Sequence, residues 1–400
     1  MEIDLLDRNL YRGDPHPLYA WLRKNDPVHR DEKNGIWVLT KYADVVYVSK
    51  NPQIFCSGQG VRPKYDHQIS IITMDEPRHG QIRGLINRGF TPRMISQLER
   101  RIREIVKDLI GAIAKKGKCD FVRDLAVDLP LRMIAEMLGI PPEDRDRLHG
   151  WSDTMIDVDG HMDDPDMLAK SAVAYGEFGS YLVSIFEERR KEPKDDLVSA
   201  LVSAKEKGLL APDEENLVQD EIIMFMTLLL VAGNETTRNA LSGGMIALAE
   251  NPDERAKLRA KPELMPSAVE EIVRWTSPVI NFRRTATRDT ELRGRKIREG
   301  DKILLVYASA NRDEEEFEDA QRFKVDREPN YHVGFGIGNH FCLGANLARM
   351  ELQTMMSELF RRLPDIDVAP GAVPVYQASP FVRGILSLPV VFTPERTRPA

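Results

Sequence analysis

The chain has 400 residues, 42% hydrophobic and 30% charged, a composition that builds a sizeable core and argues against disorder beyond the ends. Its formal charge of −7, from 56 basic and 63 acidic side chains, counts against a general nucleic-acid binder. Three scattered cysteines suit a reducing compartment, the longest apolar run (around Ile222 to Val231) is too short for a bilayer, and the start Met1-Glu2-Ile3-Asp4 carries acids, so a soluble cytoplasmic protein without a membrane segment is expected.

No Gly/Ser-rich or Pro-rich linker, repeat or low-complexity block divides the sequence, and one domain over residues 1–400 is expected. A short alternating strand is predicted at Ile36-Trp37-Val38-Leu39-Thr40. Gly and Pro then cluster with polar residues over Gly58–Gln68, which is expected to be a mobile loop, as is Val158–Asp166. In Asp75-Glu76-Pro77-Arg78-His79-Gly80-Gln81-Ile82-Arg83 the i, i+4 spacing sets His79 and Arg83 on one face. Helical periodicity dominates from about Thr91 to Trp275, giving a mainly α protein with small β-sheets. Arg78, Arg83, Arg88, Arg93, Arg100, Arg101 and Arg103 form a basic run that reads as a solvated helical face.

The segment from Asp220 to Thr237 is apolar on all sides at first and then abruptly polar, the pattern of a buried helix. Leu229, Ala232, Gly233 and Thr236 fall at i, i+3, i+4 and i+7, so a small recess beside a hydroxyl is predicted. Glycine and asparagine weaken a buried helix, and Glu235 is costly there unless solvated or hydrogen-bonded; such local inconsistency marks function. Taken alone, Thr236 also fits a hydroxyl bonded to the i−4 carbonyl. Further on, i, i+3 spacing puts Glu271 and Arg274 on one face between Ala268-Val269 and Trp275. Arg284 opens Arg284-Thr285-Ala286-Thr287-Arg288-Asp289, and Lys302-Ile303-Leu304-Leu305-Val306 reads as a late strand.

The run Phe335-Gly336-Ile337-Gly338-Asn339-His340-Phe341-Cys342-Leu343-Gly344 sets one cysteine in a glycine-rich turn directly before a helical pattern over Leu343–Leu363. Unpaired amides and the positive end of the helix dipole favour an anion there, so the thiol ionises readily and offers a soft ligand suited to iron. Cys56 and Cys119 stand alone in unrelated segments, which leaves no zinc or iron–sulfur ligand set; one thiolate without companions points to haem. The other reading of Cys342 is a buried structural cysteine.

This run resembles the haem-binding signature of the cytochrome P450 family, FGxGxHxCxG, at every defined position, and three further family elements follow the family's order. Ala232-Gly233-Asn234-Glu235-Thr236 is similar to the oxygen-binding AGxET motif, which implies that Glu235 relays protons and Thr236 is the hydrogen-bonding alcohol in O–O cleavage. Glu271 and Arg274 resemble the ExxR brace, implying structural support for the Cys342 loop. By the same resemblance His79, Arg83, Arg284 and His340 hold the propionates of haem b (iron protoporphyrin IX), while Ala232, Gly233, Phe335, Gly336 and Gly344 lie against it and Cys342 ligates the metal. The implied fold is the P450 fold, a triangular α-rich prism around a buried haem. One departure is Ala320, in Phe317-Glu318-Asp319-Ala320-Gln321-Arg322-Phe323, where the family often has proline; a flexible turn is expected there.

The family implies a monooxygenase that inserts one atom of O2 into a C–H bond with electrons from a ferredoxin and ferredoxin reductase, Arg88 and Arg93 being candidate docking residues. A monomer is expected. The substrate pocket is expected at Ile71, Ile72, Val231, Ala232, Val279, Ile280, Phe282 and Phe381; nearly all are apolar, and no charged anchor stands out among them, which favours a lipophilic small molecule. Any one of these aliphatics equally fits plain core. Cys119–Leu125, Arg274–Val279 and Pro389–Pro394 resemble actinobacterial members that hydroxylate steroid side chains. Terpenoids, fatty acids and macrolides stand behind steroids. The alternatives are a peroxide-driven peroxygenase, expected to lack the Glu235 and Thr236 pair, and a haem-based sensor or carrier without turnover, in which a buried acid and alcohol have no evident use.

Overall fold

The computed structural model describes residues 3–64, 66, 70–89, 92–158, 161, 164–206 and 215–395, with the side chains of 85, 88, 89, 92–95, 204–206 and 215–220 outside that description. The helices are α1 (His16–Asn25), α2 (Tyr42–Lys50), α3 (Arg78–Gly89), α4 (Pro92–Ile113), α5 (Asp128–Met137), α6 (Arg145–Asp157), α7 (Pro165–Lys191), α8 (Leu197–Glu206), α9 (Glu215–Glu250), α10 (Pro252–Ala260), α11 (Met265–Thr276), α12 (Tyr307–Ala310) and α13 (Ala345–Arg362). The strands are β1 (Val28–Asp31), β2 (Ile36–Leu39), β3 (Phe55–Cys56), β4 (Lys118–Asp120), β5 (Asn281–Ala286), β6 (Thr290–Leu292), β7 (Arg295–Ile297), β8 (Lys302–Val306), β9 (Asp367–Val368), β10 (Val375–Tyr376), β11 (Ile385–Ser387) and β12 (Pro389–Val391). This is the mainly α architecture with small sheets that the periodicity predicts. Among the described residues no helix is long and apolar enough to cross a membrane.

Contacts divide the chain into two compact units. The first comprises residues 1–67, 106–127 and 236–400 and holds all the sheets. Its main sheet has the order β1-β2-β8-β5-β3, with β2 and β8 parallel and the other neighbours antiparallel. Ile36, Val38, Ile280, Leu304 and Val306 pack with Tyr11, Tyr19 and Leu22 in one hydrophobic cluster. Val28, Leu39, Phe55, Ile303, Leu305 and Val333 form another, against which Val279 and Phe282 pack. Alternate side chains of a strand point to opposite faces, which is why Leu304 and Leu305 enter different clusters. Helix α11 ends where Ser277 adopts a left-handed conformation, φ 39°, just before Pro278.

The second unit, residues 68–105 and 128–235, is helical. Phe178, Leu182, Ile185 and Phe186 of α7 are buried, as are Leu148 of α6 and Val198 of α8. Asp164 caps α7 by accepting from the amides of Asp166 and Met167, with Pro165 preset at the first helical position. Buried Arg189 of α7 pairs with Asp196 and donates to the Gly139 carbonyl at 2.9 Å, tying the end of α5 to the start of α8.

Gly58–Gln68 departs from the expected mobile loop in its described part. Arg283, fully buried, donates to the carbonyls of Gln59, Gly60 (3.2 Å) and Pro63 (3.4 Å), and its own amide donates to Val61 O at 2.8 Å. Residues 65 and 67–69 lie outside the described residues, as do 159, 160, 162 and 163 of the second loop.

Candidate active site

Cys342 stands two residues before the Gly344 cap of α13, so the predicted helix begins slightly later than expected, at Ala345. Its amide donates to the Phe335 carbonyl at 2.8 Å, closing the loop into a tight ring. Two glycines make that ring possible. Gly336 and Gly338 adopt φ 69° and 79°, and a Cβ on Gly338 would meet the Ser49 carbonyl oxygen at 2.5 Å. Upstream, the Val333 amide donates to Asn311 Oδ1 at 2.7 Å, and Asn311 Nδ2 donates to Ser277 Oγ at 2.9 Å. Arg349 lies over the Phe335 ring, 4.6 Å from its centroid, and forks onto Glu270 at 2.6 and 2.9 Å; His332 also reaches Glu270, at 3.1 Å. Burial would raise the Glu270 carboxyl, but the Arg349 and His332 hydrogen bonds outweigh it and hold the group down at about 2. The charged clamp therefore persists across the physiological range.

Glu271 and Arg274 have no exposed side-chain surface and form a forked pair at 2.7 and 2.8 Å. Arg274 also donates to the carbonyls of Asn311 (2.7 Å), Ala320 (3.0 Å) and Arg322 (3.1 Å). Glu271 in turn accepts from the Lys324 amide (2.8 Å), Arg327 Nε (3.0 Å) and Asn330 Nδ2 (3.3 Å). The pair thus fastens the strand-to-loop region that leads to Val333 and the cysteine. Ala320, predicted to loosen its turn, is buried with its carbonyl held by Arg274, so the absent proline is made good by hydrogen bonding.

On α9, Asn234 and Glu235 are buried while Ala232 is exposed and Val231, Gly233 and Thr236 are half-buried. Asn234 Nδ2 donates to Ser152 Oγ of α6 at 2.7 Å, which explains a polar residue the sequence left unassigned. Gly233 differs from the expectation of an open recess: a Cβ there would come within 3.1 Å of Ile134 Cδ1, so its missing side chain admits α5. The opening on this stripe is at Ala232. One residue beyond Thr236, the Thr237 hydroxyl bonds to buried Glu351 of α13, whose carboxyl burial pushes up to about 8. Nothing in the spacing of Glu351 signals this partner.

His79 and Arg83 lie on α3 as the spacing predicts, His79 being buried with Nδ1 3.2 Å from Glu76 Oε1. Arg284 is buried on β5, its Nη1 donating to the Arg283 carbonyl at 2.8 Å. His340 is half-buried in the turn Gly338–His340. Of the expected pocket residues in the first unit, Phe282 and Phe381 meet edge to face at 5.4 Å and Val279 bridges Val382. Ile280, just before β5, is 2% exposed and packs in the core cluster with Ile36 and Val306. In the second unit Ile71 is buried in a short turn with Ile72 beside it, and Val231 is half-buried on α9. The side chains of Arg88 and Arg93 lie outside the described residues.

Missed by the sequence was Arg62, whose guanidinium lies over the Phe381 ring, 4.7 Å from its centroid. Such a contact is worth about 0.5–2 kcal/mol depending on desolvation.

The donors suit a haem. Cys342 is exposed, Phe341 is 40% exposed beside it, and a Cβ on Gly344 would meet nothing within 4 Å, so a thiol stands on an open apolar shelf shaped for a flat partner. Among the described residues no group of three His, Cys, Asp or Glu side chains is placed to hold a metal ion, and a single thiolate is the protein ligand set of a haem iron.

Residues 164–261 and 255–371 match the family model described as cytochrome P450. Across 397 residues the chain is 41% identical to a steroid C26-monooxygenase of Mycolicibacterium smegmatis, covering 98% of this chain and 96% of that one. The chain belongs to the cytochrome P450 family. As a P450 it is a monooxygenase with a haem-iron cofactor. It is also 41% identical to a methyl-branched lipid omega-hydroxylase of Mycobacterium bovis, over 90% of this chain and 85% of the other. Among solved structures, a P450 of Bacillus megaterium in complex with testosterone superposes with a TM-score of 0.85 at 36% identity, covering 95% and 99% of the two chains. A P450 of Mycobacterium marinum in complex with pseudoionone gives 0.88 at 36% identity, covering 98% and 99%. These likenesses bear out the fold read from the sequence.

Proposed function

We propose that this P450 hydroxylates a long lipophilic molecule, with the aliphatic side chain of a steroid as the leading substrate. The observation that carries this reading is the 41% identity to a steroid C26-monooxygenase along nearly the whole chain. The likeness to a methyl-branched lipid omega-hydroxylase supports a terminal C–H bond of a long chain. The aromatic pair Phe282 and Phe381, with Val279, supplies apolar surface for such a ligand, and Ile71, Ile72 and Val231 are assigned to it by the family's order.

Haem b, when bound, supplies the activation of dioxygen that inserts one oxygen atom into the C–H bond. Cys342 would hold it as thiolate, with Phe335, Gly336, Gly344 and Ala232 assigned to it by the family's order and His79, Arg83, Arg284 and His340 as candidates for its propionates. Glu235 and Thr236 pass protons toward the oxygen site, and Glu271 with Arg274 keeps the cysteine loop in place. Electrons come from a ferredoxin and its reductase, for which Arg88 and Arg93 are docking candidates. The protein works as a single domain, as a monomer, in the cytoplasm.

The test is reconstitution with a ferredoxin, its reductase and a panel of 3-oxo steroids, branched lipids, terpenes and macrolides, with products read by mass spectrometry. A side-chain hydroxysteroid is expected. Product from another class alone discards the steroid assignment, and product from peroxide but none from the ferredoxin system replaces the monooxygenase route by the peroxygenase one.

A further inference from the structure

Arg349 and Glu270 differ in kind from the neighbouring Glu271–Arg274 brace. The brace binds backbone carbonyls, whereas among the described residues the hydrogen bonds of the Arg349 guanidinium go to Glu270, through Nε at 2.6 Å and Nη2 at 2.9 Å. Both oxygens of Glu270 are thereby engaged, and His332 Nε2 reaches one of them at 3.1 Å. Because His332 Nδ1 accepts the Gly334 amide at 3.1 Å, the ring proton lies on Nε2 and is donated to Glu270. The pair therefore fixes a charge rather than a length of backbone. Its place is beside the cysteine: Arg349 lies one turn along α13 from Ala345, its guanidinium 4.6 Å from the centroid of the Phe335 ring, and the Phe335 carbonyl holds the Cys342 amide at 2.8 Å. Hydrogen bonding to Glu270 raises the guanidinium above its ordinary value against the cost of burial, and the charge of the Cys342 thiolate adds to the rise, so cation and thiolate lie in one another's field.

A guanidinium beside a thiolate draws electron density from it and offsets the negative charge that a ligated iron gains on reduction, while a carboxylate behind the guanidinium cancels part of that effect. The field at Cys342 is thus a difference between two fixed, opposite charges, and with Glu270 held down at about 2 the balance does not drift across the physiological range. A fastening alone needs no such balance, since apolar side chains would join α11 to α13 without desolvating two charges. From this geometry we infer that Arg349, held by Glu270 and His332, is a positioning residue that sets the reduction potential of the haem: its charge favours the one-electron step from ferric to ferrous iron, and Glu270 holds that preference in check. The electron is the one that the ferredoxin delivers in the proposed reaction. The inference rests on Cys342 as the thiolate ligand and adds to it a control that the cysteine loop itself lacks.

The test titrates haem-loaded wild type, Arg349→Met, Arg349→Lys, Glu270→Gln and the double variant Arg349→Met/Glu270→Gln with dithionite under anaerobic conditions, reading the ferric-to-ferrous ratio at fixed potentials from the Soret band. Opposite shifts are expected from the two halves of the pair: Arg349→Met moves the ratio ~3–10-fold toward ferric and Glu270→Gln ~3-fold toward ferrous. The double variant is expected to fall between them, and Arg349→Lys, which keeps the charge, to stay within about 2-fold of wild type. A mere brace predicts otherwise, because both single substitutions break the same fork and would shift the ratio the same way. Shifts of one sign, or an Arg349→Met ratio within about 1.5-fold of wild type, therefore overturn the inference. If Arg349→Met does not retain haem, Glu270→Gln and Arg349→Lys decide it, a ferrous shift in the first with the second unchanged supporting it and any other pattern overturning it. The ferrous carbon monoxide spectrum of wild type checks the premise separately: absence of the thiolate form discards the reading of Cys342, and the inference with it.

Discussion

Replacing Arg274 by alanine removes one partner of a fully buried ion pair and orphans the carbonyls of Asn311 and Ala320, while that of Arg322 keeps its bond from Arg327. Breaking a buried pair from one side costs about 3–5 kcal/mol, and each stranded buried acceptor about 1–3 kcal/mol. Arg327 still faces Glu271 at 3.0 Å and relieves part of this, so we take about 4 kcal/mol as the floor. Against a total stability of about 5–15 kcal/mol that is a large share. At about 2.1 cal/mol/K per residue it lowers the melting temperature by about 5 °C for a 400-residue chain. The assay is a thermal melt of the haem-loaded protein together with its haem-to-protein ratio. Arg327→Ala is the comparison, since it strands the Glu318 carbonyl but leaves the Glu271–Arg274 fork intact, and a smaller loss of about 1–3 kcal/mol is expected. If Arg274→Ala melts within about 2 °C of wild type and retains full haem, the brace carries no weight and the reasoning is refuted.

Glu351 gives a pH signature. Its native carboxyl is pushed up to about 8 by burial, above its ordinary value of 4.5, so its contribution to stability is full below the unfolded pKa and lost as pH rises through about 8. Melting temperature should therefore fall more steeply from about pH 5 to 8 in wild type than in Glu351→Gln, and parallel profiles would count against it. Gly338→Ala forces a left-handed alanine against the Ser49 carbonyl and should cost about 2 kcal/mol or more. Gly344→Ala, with open space at its Cβ, should leave the apoprotein melt unchanged and weaken haem retention, and equal effects of the two substitutions would contradict this assignment. Thr236→Ala should divert reductant to peroxide and lower product, with peroxide yield per electron as the measure; unchanged coupling removes the assigned role.

Much of the site was legible because its signals are local. Cys342 and its glycines are fixed by turn geometry, and Glu271 and Arg274 by one helical turn, so spacing alone sets them side by side. The strands at Ile36 and Lys302 were legible from alternation, within a residue of their observed ends. What the sequence hid is what depends on distant partners. Asn234 looks like a helix defect until Ser152, 82 positions away, accepts its amide. Gly233 reads as a gap until Ile134 fills it. Arg283 gives no sign that its guanidinium turns a Gly- and Pro-rich stretch from a loose loop into a fastened one. Arg62 is one of 56 basic residues until Phe381 lies beneath it.

The parallel pairing of β2 with β8 has a consequence for how the protein is made. Ile36 pairs with Lys302, so about two-thirds of the chain separates neighbouring strands of one sheet. β1 and β2 leave the ribosome early and expose an apolar hairpin edge that no later strand covers until β8 emerges. Closing so long a loop is slow, and the whole helical unit, residues 68–105 and 128–235, is synthesised in the interval. Yield in a foreign host should accordingly respond to slower translation and lower temperature more than to any single stabilising substitution, because the hazard lies in the waiting edge rather than in the finished molecule.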